Sequence, residues 1–468
     1  MTDDRAEARG EALRQAARRW GTPLYVTDVA AVEAAASELT TSFPDPWIRQ
    51  YSLKANDLPA LVGRIGGLGF GANVVSSGEW ALARRAGIPN ERTTLEGIGK
   101  TDADLRAAVR AAVAGDPLHW IAVESVDEAA ALGHLAAAAR LGHDHEPEPV
   151  GRAARAAAMD LHGHAHGHHE ERRDRRHRVA RMDVLLRLNP GVNPETQRGL
   201  AVGAPGSKFG LADDELAAAI EAGGGPGGPI RWRGIHLHVG SQLGAVDAWR
   251  DAVRRALALV ALMHGSLPHF DTLDVGGGFP VSTDDDAPLP HPARFAAELP
   301  ALLATIPADR RPRRLAIEPG RYLTARAGWL VGRVLHVRGT RGPGGGPLVV
   351  VDAGMTELMR PALYGARHRV VALTSLGRAV HAVASAAVLG SLAPTAVEGP
   401  VCESTDSLGV HDLPPLRRGD LVAIRDAGAY GASMSSRYNG RTRPAEVLLE
   451  SDGTLVLARR RGTITSLG

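Results

Sequence analysis

The feature that most limits how this chain can fold is a rhythm. Between residues 47 and 319, short β-like runs alternate with Ala-, Leu- and Arg-rich stretches of helical character. The runs are WIRQYSLKA (47–55), LGFGANVV (68–75), TTLEG (93–97), HWIAVES (119–125), DVLLRLN (183–189), IRWRGIHLHV (230–239), DTLDVGG (271–277) and RLAIEP (314–319). Strands separated by helical segments pair in parallel, because each helix returns the chain to the end from which the next strand starts. Eight such units are the number that closes a β/α barrel. The expected fold is therefore α/β plus β: a (β/α)8 TIM-like barrel over residues 45–324, then a mostly β domain over residues 325–468. That second domain is read from WLVGRVLHVRGT, GGPLVVVDAGM, HRVVAL, DLVAIRDAG and EVLLESDGTLVLARRRGTI, which lack long helical stretches between them. Residues 1–44 read as a polar amphipathic helix (1–22) and a short strand, PLYVTD (23–28), expected to pack with the C-terminal domain.

One segment breaks the rhythm. Residues 141–182 carry His143, His145, His162, His164, His166, His168, His169 and His177 among Arg, Glu and Asp. Such a tract buries too little apolar surface to fold by itself and reads as a disordered surface insertion. Neutral imidazoles also bind zinc or nickel, so a transition-metal tract is the second reading. Elsewhere the balance of 54 Lys+Arg against 52 Asp+Glu excludes a nucleic-acid or anionic-membrane partner as the main one. A single cysteine, Cys402, permits no intrachain disulfide. The charged N-terminus lacks a signal-peptide core, and no apolar run reaches membrane-spanning length. A soluble, cytoplasmic protein is expected.

In a β/α barrel, reactive groups stand at the C-terminal ends of the strands. There the sequence places Lys54 after the first run, His238, Ser241 and Gln242 after the sixth, Gly276, Gly277 and Gly278 after the seventh, and Glu318 and Arg321 after the eighth. Taken singly, a solvated lysine, a tight glycine turn and a structural histidine explain these residues. Converging on one mouth, they make a cofactor site. Glycine amides approach a phosphate closely. A lysine forms a Schiff base with an aldehyde. A carboxylate keeps a pyridine nitrogen protonated, which makes the ring an electron sink. No metal is expected at this mouth.

Beyond these residues, the chain carries GTPLYVTD, YSLKAN, VVSSGEWALARRAG, RLNPGV, SKFGL, HLHVGSQ, DVGGGFP, EPGRYL, DAGMTELMRPALYGARH, GPVCESTD and DAGAYGASMSSRYNGRTRPAEV, in that order. In these motifs it resembles the fold-type III pyridoxal-phosphate decarboxylases, whose barrel is like that of alanine racemase. Within that family it is most similar to the diaminopimelate decarboxylases. The resemblance implies pyridoxal 5'-phosphate as cofactor, with Lys54 bound to it and His238 stacked on its ring. It implies that Glu318 pairs with the ring nitrogen, and that Ser241, the glycines at 276–278, Gly320, Arg321 and Tyr430 surround the phosphate. Arg321, Arg360, Tyr364, Glu403 and Tyr430 would hold the substrate, and Cys402 would return a proton to the carbon that loses carbon dioxide. It also implies a homodimer in which the Cys402 loop reaches the other subunit's site.

The expected reaction is decarboxylation of meso-2,6-diaminopimelate to L-lysine and carbon dioxide. An arginine–tyrosine pair suits a substrate with a distal carboxylate, and Glu403 suits its ammonium. The sequence departs from the family pattern in PETQRGLAVGAPGSKFG, in Ser52 where alanine is common, and in GIGK (97–100) where GNNK-like sequences occur. A related decarboxylase for another amino acid (ornithine-, lysine- or arginine-like, or of specialised metabolism) stays open. So do an amino-acid racemase and a non-catalytic pyridoxal-phosphate protein. A polar tract contributes little core. Deleting roughly residues 143–178 is therefore expected to leave the melting temperature and decarboxylation nearly unchanged. A variant that keeps its cofactor but loses turnover would show that the tract serves the reaction.

Overall fold

The computed structural model of the chain describes residues 2–141, 181–282, 288–381 and 392–467. Nearly all of the His-rich stretch, from residue 142 to residue 180, lies outside the described residues. The described chain opens with a helix, Thr2–Trp20, followed by strand β1 (Leu24–Asp28). The eight expected runs then form the strands of a closed parallel barrel: β2 (Ile48–Ser52), β3 (Gly71–Val74), β4 (Thr93–Leu95), β5 (Trp120–Val123), β6 (Asp183–Leu188), β7 (Arg231–Leu237), β8 (Thr272–Asp274) and β9 (Arg314–Ile317). Closure is made by β9 against β2, with Ile48 opposite Ala316 and Arg49 opposite Ile317. Helices cover the outside because their apolar residues recur on one stripe. In Asp247–Met263, for example, Trp249, Ala252, Val253, Ala256, Leu257 and Val260 are buried at the spacing of a single helix face.

Alternate residues of each barrel strand point inward. Deep in the barrel, Trp120, Ala122, Leu185 and Ala316 pack as a small apolar cluster. Two residues further on come Glu124 just past β5, Arg187 in β6 and Glu318 just past β9, all buried. The interior is thus apolar in this middle layer and charged on either side of it, with buried charges towards the C-terminal end of the strands and a part-exposed ionic cluster of Asp183, Arg233, Asp271 and Arg314 at the N-terminal end.

The second domain contains β10 (Gly328–Arg338), β11 (Leu348–Val351), β12 (Val370–Ala372), β13 (Thr374–Ser375), β14 (Arg378–Ala379), β15 (Ala393–Glu398), β16 (Ser407–Leu413), β17 (Leu421–Ile424), β18 (Ala445–Leu449) and β19 (Leu455–Arg459). A nine-stranded sheet runs β16-β15-β11-β10-β1-β18-β19, with β17 pairing β10 and β12; β13 and β14 form a separate hairpin. Strand β1 lies inside this sheet, antiparallel to β10 and parallel to β18. The first helix packs Ala12, Leu13, Ala16 and Ala17 on the same sheet, against Leu24, Val26 and Val447.

The chain changes domain at Asp28 and not at residue 44. The Asp28 side chain accepts a hydrogen bond from Ala31 N at 3.3 Å and so caps the helix Val29–Ser42. That helix buries Val29, Val32, Ala36 and Leu39 in the barrel's main core. The grouping of residues 29–44 with the C-terminal domain is corrected by this packing: their apolar stripe has its partner on the barrel.

Three hydrogen bonds strap the second domain to the turn that follows β2. Tyr430 N donates to Ala55 O at 2.7 Å, Asn56 Nδ2 to Gly428 O at 2.9 Å, and Ser433 Oγ to Lys54 O at 3.0 Å. Gly428 sits where no side chain fits, since a β-carbon there would overlap the Thr324 carbonyl and crowd Gly328. Gly428→Ala is therefore expected to lower stability by about 3 kcal/mol and to loosen the strap. A drop in the denaturant midpoint together with weaker cofactor retention checks this. An unchanged midpoint would contradict the packing argument.

Candidate active site

At the C-terminal mouth of the barrel lies a cavity of about 410 Å³, within the range that small-molecule sites occupy. Of the residues singled out in the sequence, Lys54, His238, Ser241, Glu318, Arg321, Arg360, Tyr364 and Tyr430 line it. Lys54 comes from the 3-10 turn Leu53–Ala55, directly after β2. A smaller hollow beside the cavity is lined by Ser241, Gly278, Gly320, Arg321 and Tyr430, among others. Gly276 and Gly277 stand just behind, at the end of β8.

The glycine turn is dictated by backbone. Gly276 and Gly278 have φ of 68° and 97°, the left-handed region that glycine enters without penalty. At Gly277 a β-carbon would overlap the Glu318 carbonyl. The turn therefore brings the ends of β7, β8 and β9 into direct contact. Gly277 N donates to His238 Nδ1 at 3.2 Å, so the imidazole proton resides on Nε2. Burial first, then the Lys54 charge, holds His238 well below the usual histidine range, and the ring is neutral at ordinary pH.

On the wall, Arg321 donates to Ser241 Oγ through Nη2 at 3.0 Å and Nε at 3.3 Å. Its guanidinium lies 4.9 Å from the centre of the Tyr430 ring. Tyr430 has φ of 58°, a costly conformation for a bulky residue, of the kind that clusters at ligand sites. The bond from Tyr430 N to Ala55 O holds it there. Arg360, at the start of the helix Arg360–Tyr364, donates to His368 Nε2 at 2.9 Å, and His368 Nδ1 donates in turn to Arg425 O at 2.9 Å. This chain fixes the His368 tautomer and aims Arg360. Burial, followed by the charge of Arg321, pulls Arg360 down to about 10. Two guanidiniums that disfavour each other's charge make a receptor for an anion, which relieves both.

Apart from Glu318, the floor was not read from the sequence. Glu318 Oε1 accepts from Asn73 Nδ2, and Glu318 Oε2 lies 3.3 Å from His236 Nε2. Glu96 Oε2 lies 3.4 Å from the same nitrogen. Arg187 is held by Glu124 at 2.7 Å. Burial, then the charge of Glu318, raises Glu96 to about 8; burial lowers His236 to about 4. Signals for this floor did exist. Glu96 directly follows β4, and His236, near the end of β7, precedes His238 by two, the spacing that turns both to the same side.

Cys402 and Glu403 are not brought into this cavity. Both are exposed, and Glu403 Oε1 accepts from Tyr438 Oη at 2.6 Å. Their loop is shaped by the buried Asp406 carboxylate, which accepts from Val401 N at 2.7 Å and Met355 N at 2.5 Å.

The donor set fits pyridoxal phosphate. It offers an amine for the aldehyde, a buried carboxyl for the ring nitrogen, a neutral imidazole, and a serine–arginine–glycine hollow for the phosphate. The profile of the family described as pyridoxal-dependent decarboxylase, pyridoxal binding domain, matches residues 29–148 and 155–325. The diaminopimelate decarboxylase of Aquifex aeolicus is 32% identical over 459 residues, covering 97% of this chain and 92% of that one. That of Deinococcus radiodurans is 33% identical over 452 residues, covering 96% of each. The crystal structure of diaminopimelate decarboxylase from Helicobacter pylori complexed with L-lysine superposes with a TM-score of 0.75 at 26% identity, covering 95% of both chains. With a matching profile across the barrel and relatives matching along nearly its whole length, the chain belongs to the pyridoxal-dependent decarboxylases, in the diaminopimelate decarboxylase branch of that family.

Proposed function

We propose that this protein decarboxylates meso-2,6-diaminopimelate to L-lysine. The observation that carries the reading is the facing pair Arg321 and Arg360 in the cavity that also holds Lys54 and Glu318. A substrate with a second carboxylate supplies an anion to this pair. When bound, pyridoxal 5'-phosphate supplies an electron sink for the breaking bond between the α-carbon and its carboxylate.

The chain's own residues do the rest. Lys54 would hold the cofactor through its aldehyde carbon. Glu318 would keep a proton on the ring nitrogen, and His238 would hold the ring. Ser241, Gly276, Gly277, Gly278, Gly320, Arg321 and Tyr430 would hold the phosphate. Arg321, Arg360 and Tyr364 bind the distal carboxylate, with Tyr430 beside them, and Glu403 binds the distal ammonium. Carbon dioxide leaves, and Cys402 delivers a proton to the α-carbon in its place. Cys402 and Glu403 stand exposed and away from the cavity of their own chain, which supports a homodimer in which each subunit completes the other's site. Among the described residues no helix is long and apolar enough to cross a membrane, and the proposed setting is the cytoplasm.

Borohydride treatment of the loaded protein is expected to fix the cofactor to Lys54, and Lys54→Ala to lose nearly all turnover. A label on a peptide without Lys54 rules out this assignment. Specificity tests the substrate. L-ornithine and L-lysine bring no distal carboxylate, so kcat/KM for meso-diaminopimelate is expected to exceed theirs by roughly 10⁴-fold. Arg360→Ala should narrow that gap by lowering diaminopimelate turnover about 100-fold, and Glu403→Asp should weaken it by withdrawing the carboxylate about one methylene. Carbon dioxide release from a panel of amino acids decides the matter. Clear turnover of another amino acid with little of diaminopimelate would replace this reading.

A further inference from the structure

On the floor of the cavity, two carboxyl groups share one donor. Glu96 Oε2 and Glu318 Oε2 lie 3.4 Å and 3.3 Å from His236 Nε2, and all three side chains are buried. The two carboxyls are not equivalent. Glu318 Oε1 has a second donor in Asn73 Nδ2, whereas Glu96 Oε1 is buried with no hydrogen-bond partner. Of the two, Glu318 is the better solvated as an anion, and a second bare negative charge beside it in a dry site is strongly disfavoured. We propose that Glu96 is kept as the neutral acid and donates its proton to Glu318, a positioning residue that presents Glu318 to the cofactor's ring nitrogen as one fixed, singly charged carboxylate. This rests on the role proposed for Glu318 above.

The surroundings support that placement. Around Glu96 stand His236 from β7, Glu318 after β9, Asp274 from β8 and Arg187 from β6, and Glu124 after β5 and Lys54 after β2 face the same histidine. Arg187, a cation on the barrel's inner face, is already committed to Glu124. Asp274 accepts from Gly276 N at 2.9 Å, and burial with the neighbouring acids pushes it well up. Glu96, raised to about 8, keeps its proton below that pH and loses it above. Ring binding that depends on protonated Glu96 is therefore present at neutral pH and lost as pH rises through about 8.

The test uses the apo-protein and pyridoxine 5'-phosphate, which has the ring and phosphate but no aldehyde, so Lys54 forms no bond to it. Affinity is measured by calorimetry between pH 6.5 and 9.5. Wild-type affinity is expected to fall roughly tenfold between pH 7 and 9. Glu96→Gln, whose amide donates the same bond and does not titrate, should bind near the wild-type neutral level and stay flat across that range. Glu96→Leu, with no donor, should bind weakly at every pH while melting near the wild type. If the Gln variant binds as poorly as the Leu variant, or follows the wild-type pH profile, the proposal fails. It fails equally if the apo-protein takes up zinc at Glu96, His236 and Glu318, whose ligand atoms lie within 4.8 Å of one another, and Glu96→Gln abolishes that uptake. A wild-type protein that binds neither pyridoxine phosphate nor pyridoxal phosphate would instead overturn the function proposed above, and this inference with it.

Discussion

The structure turns on charge buried at one end of a closed barrel. Eight parallel strands leave their backbone groups fully paired, so the interior must be filled by side chains alone. In the middle layer that filling is apolar, with Trp120, Ala122, Leu185 and Ala316. One inward step later it becomes Glu124, Arg187 and Glu318. Buried charges of this kind persist only when each is paired, neutralised or hydrogen-bonded. Arg187 with Glu124, Glu318 with Asn73, and His236 between Glu96 and Glu318 meet that demand. Together they form a rigid polar floor under the cavity.

The upper half of the site depends on a second domain that shares no strand with the barrel. Its loop at Gly428–Ser433 is strapped to the Lys54 turn by backbone and side-chain hydrogen bonds. Strand β1 sits inside the C-terminal sheet and hands the chain to a barrel helix at Asp28. The two domains are thereby joined at both ends of the barrel sequence. Arg321, which follows β9, and Arg360, from the second domain, meet across one cavity as a result. Their mutual repulsion is tolerable in a folded protein because His368 accepts from one and Ser241 from the other.

Much of this was legible along the chain. Barrel strands alternate with helices at a spacing that local sequence sets, so all eight were found within a few residues of their ends. Lys54, His238, Glu318 and Arg321 could be placed at the mouth because strand ends are local features and the mouth gathers them all. The glycine turn at 276–278 was legible too, since closely packed backbone tolerates no other residue there. The helix Val29–Ser42 was grouped with the wrong domain because an apolar stripe does not reveal which surface it will cover.

Sequence by itself thus determined the eight-fold rhythm, the family motifs and the residues at the strand ends. Tertiary structure alone decided which interior side chains share a hydrogen bond. Glu96, His236 and Asn73 each look unremarkable in their own strands, at separations of many residues from Glu318. Their partnership exists only after closure brings β3, β4, β7 and β9 around one axis and removes the water that would otherwise have solvated each of them separately.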